Sequence, residues 1–65
     1  MNDDDEFCDG YYDGRDLTTP EPSANRSAAY RHSFAVGRAE KAGKPIPASV
    51  SRENAERAAA EDAAR

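Results

Sequence analysis

One five-residue pattern occurs twice in this chain, and it restricts the fold more than any other feature. Phe7, Gly10, Tyr11, Gly14 and Arg15 read aromatic-x-x-small-aromatic-x-x-Gly-Arg, and Tyr30, Ser33, Phe34, Gly37 and Arg38 repeat it 23 positions later. On a helix these offsets place two aromatics and two small residues on one stripe, with the arginine at its flank. Two such helices bring their backbones close at the small residues and fill the flanks with rings. The predicted fold class is therefore all-α: a small antiparallel helical hairpin with a helix-packing core of Phe7, Gly10, Tyr11, Gly14, Tyr30, Ser33, Phe34 and Gly37.

The first helix is expected over about 4–16, capped by Asn2, Asp3 or Asp4, with Leu17 continuing its stripe. The Pro-containing linker is 18–24, where Pro20 and Pro22 favour extended backbone. The second helix is expected over about 25–42, capped by Ser23 or Asn25 and stopped by Gly43 and Pro45. Residues 1–44 form the hairpin and 45–65 a turn plus an Ala-rich tail, frayed helix or disordered. Glu53–Arg57 and Glu61–Arg65 are well oriented as i, i+4 pairs, but the tail has almost no large apolar face. Ile46 and Val50 are candidates to fold back onto the hairpin.

Charge divides along the chain. Residues 1–16 sum to −6, residues 25–44 to +4, and the whole chain to −4. The two repeats therefore have opposite sign, which draws them together or presents a charged face to a partner. A basic binding face of Arg15, Arg26, Arg31, Arg38 and Lys41, continued by Lys44, offers guanidinium forks to phosphate. An acidic face of Asp5, Asp9, Asp13 and Asp16 is expected on the side away from the core stripe, with Tyr12 off the stripe as an interface anchor or a partly covered edge.

Sixty-five residues with nine large apolar side chains make a small core, and chains of this size usually lean on a disulfide, a metal or a partner. A single cysteine, Cys8, allows no internal bridge and suits a reducing, cytoplasmic setting. Among acids it is expected as a small buried filler and not as an activated thiol. His32 is expected as a solvated residue off the aromatic stripe. The acids lack the spacing of a calcium loop. No catalytic, metal or cofactor site is expected, and the chain reads as a non-enzymatic binding scaffold. No apolar run suits a membrane span and the acidic start is unlike a signal peptide. A homodimer, two hairpins forming a four-helix bundle, is a further option.

Gly10-Tyr11-Tyr12-Asp13-Gly14, a Pro-containing linker, Asn25-Arg26-Ser27 and Tyr30-Arg31-His32-Ser33-Phe34 together resemble the ribosome modulation factor family over about residues 7–40. That family carries a Gly-Tyr-x-x-Gly element, a linker with Cys-Pro-Tyr, and Arg-Ser followed by aromatic-x-x-small-aromatic. Gly10, Tyr11, Gly14, Arg26, Tyr30 and Phe34 are the positions that match. Here the Cys-Pro-Tyr element is absent, the linker is shorter, Tyr30 and Phe34 stand for tryptophans, and the chain is acidic where the family is basic. The resemblance implies two helices joined by a linker, association with the bacterial small ribosomal subunit (rRNA or a ribosomal protein), translation regulation and ribosome hibernation. The acidic balance suggests an alternative: a phage- or mobile-element-type inhibitor or adaptor whose acids imitate a phosphate backbone and bind a nucleic-acid-binding protein.

Overall fold

The structure, a computed structural model, describes residues 3–64. It is all-α, with α1 at Asp3–Arg15, α2 at Ala28–Lys41 and α3 at Ala48–Ala63. No helix among the described residues is long and apolar enough to cross a membrane. The proposed Asn2 cap and the Glu61–Arg65 pair each involve a residue outside the described range. Glu53 and Arg57 form no ion pair.

The α1–α2 contact is built on the repeat. Gly10, Gly14, Tyr30, Ser33, Phe34 and Gly37 are buried, and Phe7 and Tyr11 are half-buried. The backbones touch at the glycines. A Cβ on Gly14 would overlap the Phe34 carbonyl oxygen, and a Cβ on Gly37 would overlap that of Tyr11. These two contacts are reciprocal: the last small residue of each repeat meets the second aromatic's carbonyl of the other. Gly10 sits in the same way against the Tyr30 carbonyl.

That reciprocity goes with a direction that differs from the expected hairpin. Glu6 lies beside Ser27, Gly10 beside Tyr30, Gly14 beside Phe34, and Arg15 beside Glu40. Position advances together along both helices, so α1 and α2 run the same way and not antiparallel. A two-fold relation between identical stripes preserves direction when its axis lies along the helices, as in small-xxx-small pairs. The connection permits it, because α1 ends at Arg15 and α2 begins at Ala28. A dozen extended residues reach about 40 Å, ample to run back along the roughly 20 Å of a 13-residue helix.

The N-terminal end of α2 differs from the sequence reading, and its stop at Gly43 agrees with it. The N-cap is Ser27, not Ser23 or Asn25; its Oγ accepts the Tyr30 N–H at 3.1 Å. Ser23 instead accepts the Asn25 N–H within the linker. At the other end Lys44 N–H reaches the Ala39 carbonyl at 2.9 Å and Gly43 N–H reaches Glu40 at 3.0 Å. This is the paired bonding of a Schellman turn. It needs a left-handed residue, and Gly43 has φ of 81°. Leu17 lies beyond α1 and is 60% exposed, because Asp16 has turned the chain: its carboxylate accepts from Thr18 N and Thr18 Oγ1.

The Ala-rich segment is a helix that docks, antiparallel, on the N-terminal half of α2. Ala58 is its one buried residue. The carboxylate of Asp62 accepts the N–H groups of Ala28 (2.8 Å) and Ala29 (3.0 Å), donors that a helix start otherwise leaves unpaired. Glu61 lies 3.7 Å from Arg31. Val50 stays 44% exposed and Ile46 half-buried, so the tail is held by polar contacts and small residues in place of an apolar face.

Candidate functional site

The arginines expected to meet phosphate are also structural. Arg38 closes the C-terminus of α1: its Nε donates to the Gly14 carbonyl at 2.8 Å, and one amino group donates to Thr19 at 2.6 Å and Asp16 at 3.4 Å. Its guanidinium also lies 4.8 Å from the Phe34 ring centre. Arg26 covers the Tyr30 ring at 3.6 Å and pairs with the buried Glu6 at 3.5 Å. Glu6 in turn accepts from the Ser27 hydroxyl at 2.9 Å. Arg15 pairs with Glu40 at 3.1 Å, and the Tyr11 hydroxyl donates to the same oxygen at 2.7 Å. Arg31 donates to the Arg26 carbonyl. Lys41 and Lys44 are exposed and have no side-chain partner.

These pairings hold two phenols in their protonated form. The Glu40 hydrogen bond pushes the Tyr11 hydroxyl above its usual pKa. Burial, followed by the hydrogen bond to Asp13, does the same for Tyr30.

A groove of about 540 Å³ opens between α2 and the linker. Ala35, Ala39 and Ala42, with an edge of Phe34, supply its apolar surface. Arg31, Arg38 and Lys44 surround it, with Glu21 and Pro22 on the linker side. Arg31 and Arg38 both line this one surface. Arg26 and Arg15 belong to the α1–α2 contact and do not line the groove. The alanines were missed; positions 35, 39 and 42 share one helical face, with Arg31 and Arg38 together on one flank of it.

The acidic face also changes membership. Asp13 turns inward and accepts the Tyr30 hydroxyl. Asp5, Asp9 and Asp16 remain exposed around Tyr12, which is 70% exposed with its ring edge-on to Tyr11 at 5.7 Å. Hydrogen bonds from Thr18 hold the Asp16 carboxyl below its ordinary pKa. Cys8 is exposed on this side and not the buried filler expected: on a helix it falls opposite Gly10, the close-contact position.

His32 departs from the solvated reading. Its ring meets Phe7 edge-on at 6.0 Å, and it lines a second groove, about 340 Å³, between α2 and α3. Burial lowers its pKa. Among the described residues no group of His, Cys, Asp and Glu is arranged to hold a metal ion.

No family model matches the chain, and no curated protein and no solved structure matches it.

Proposed function

We propose that this chain is a non-enzymatic binding protein of the ribosome-modulation-factor kind, which associates with the ribosome through the open face of α2 and modulates translation. The observation that carries the reading is the α2 groove, where an apolar surface of alanines is bordered by Arg31, Arg38 and Lys44. Phosphates suit the cations, and the small alanines leave room beside them for a nucleotide. Lys41 and Lys44 add exposed charge near the same end of α2. The exposed acids of α1 lie on its side away from α2, which leaves Glu21 as the carboxylate in the groove's own lining.

The test is co-sedimentation with small ribosomal subunits over a salt series. Lys41→Glu and Lys44→Glu are the variants to use, since neither side chain holds the fold. Each lost phosphate contact lowers the salt slope by roughly one. No co-sedimentation of the wild-type chain at low salt, or slopes unchanged in both variants, rejects the reading.

A second reading, an acidic mimic that binds a nucleic-acid-binding protein, is favoured by one observation: Tyr12 stands 70% exposed among acids. Asp9→Lys separates the two. It abolishes binding by the acidic face and leaves ribosome association through α2 intact or stronger.

A further inference from the structure

The acidic face of α1 has a complement on the chain itself. Asp5, Asp9 and Tyr12 form one exposed stripe of α1, about 11 Å long at helical rise, and Asp16 is exposed just past the helix end. The α2 groove is lined from Arg31 to Lys44, long enough to receive that stripe. One surface presents carboxylates around a projecting ring. The other presents Arg31, Arg38 and Lys44, against the single carboxylate of Glu21 on its linker side, around an apolar hollow with room for an aromatic side chain. The two cannot meet within one molecule, because the stripe lies on the side of α1 turned away from α2.

We infer that a second copy of this chain docks the Tyr12 stripe of its α1 into the α2 groove, with Tyr12 seated against Ala35 and Ala39 and the acids facing Arg31, Arg38 and Lys44. Charge complementarity selects the partner and its register. The exposed tyrosine is the anchor. A chain with so small a core gains stability from such burial. The contact joins two different patches, so it is heterologous. It also covers the surface that an RNA would use, which makes self-association and RNA binding alternatives for one groove. The inference stands on the groove and the stripe, and it survives a failure of the ribosome reading.

Sedimentation equilibrium of the full chain without nucleic acid, at low and high salt, is the first measurement. Concentration-dependent association that weakens with salt is expected. Tyr12→Ala weakens it by about thirtyfold or more, and so does Lys44→Glu or Asp9→Lys. Because all three positions are exposed, circular dichroism should show unchanged helix content. The double variant Asp9→Lys with Lys44→Glu recovers association relative to either single change, which a merely structural effect would not do.

A chain that stays monomeric at every concentration overturns the inference. Association insensitive to Tyr12→Ala and to Lys44→Glu does so equally. Single-stranded RNA titrated into the associated protein separates the two proposals. Dissociation to RNA-bound monomer supports both. Tyr12-dependent association with no RNA binding supports self-docking and removes the RNA reading. RNA binding by a chain that never associates removes self-docking alone.

Discussion

Helix α2 makes two interfaces, and they are cohesive for different reasons. Against α1 it packs backbone on backbone: Gly10, Gly14 and Gly37 each lie where a methyl group would strike a carbonyl. Against α3 it buries one residue of that helix, Ala58, and relies on Asp62 at its own N-terminus. The first interface draws on dense van der Waals contact and close C–H to carbonyl approach, which tolerate no added volume. The second draws on a few polar groups at the edge of the molecule. Tight packing should therefore fail abruptly on substitution, and the polar clasp locally and by degrees.

The largest effect is expected at the glycines. Gly14→Ala gains about 1 kcal/mol of helix propensity but forces a methyl into the Phe34 carbonyl, an overpacking cost of roughly 1–3 kcal/mol or more. The melting temperature should fall by several degrees, as ~1 kcal/mol moves a domain of this size by about 4–8 °C. A melting point at or above that of the parent chain would break the account of this interface.

Next is Arg38→Lys. The charge survives, but the fork that gathers the Gly14, Asp16 and Thr19 carbonyls does not. A loss of about 1–2 kcal/mol is expected by thermal melting. If lysine melts like arginine, position 38 is not holding the end of α1.

Asp62→Ala tests the weaker interface. It should cost about 1 kcal/mol, as other lost caps do. Hydrogen exchange at the Ala28 and Ala29 amides should accelerate while amides in the middle of α1 keep their protection. Equal acceleration in α1 would mean that the two interfaces unfold as one unit, and the contrast between them would disappear.

The smallest effect is a pH dependence at His32. Its pKa in the folded chain lies below the ordinary 6.5, so the unfolded chain takes up the proton first. The stabilisation is complete above 6.5 and is lost as the pH falls through that value toward the folded one. His32→Gln should flatten the stability profile in that window. An unchanged profile would place His32 in solvent, and so loosen the Phe7 and α3 contacts around it.

How legible these features were depends on how local they are. Stripe positions were readable because helical period alone decides which residues share a face, and Gly10, Gly14, Ser33 and Gly37 all proved buried. The α2 stop at Gly43 was readable because the left-handed residue that ends a helix is usually glycine. Asp13 was misplaced because a carboxylate at the edge of a face can turn either way, and the Tyr30 hydroxyl, distant in sequence, turned it inward. The arginines were legible as cations and not as structural donors, since Arg38 meets carbonyls that only the returning linker brings to it. His32 and the α3 contact were missed together: a helix with one buried alanine gives no apolar signal, and its anchoring carboxylate looks like any surface acid until α2's first amides lie beside it.

The sequence by itself determined that this chain is helical, that two of its helices meet through a repeated small-residue stripe, and that opposite charges sit on them. Each is a property of spacing and composition within a few turns of helix. The tertiary structure alone decided that α1 and α2 run in the same direction, which arginines are engaged by carbonyls and rings, and that α3 closes one end of α2. It also decided where the linker leaves a cation-bordered groove open. Those outcomes depend on contacts between residues 17 to 34 positions apart, whose balance of packing, desolvation and hydrogen bonding exists only once the helices have met.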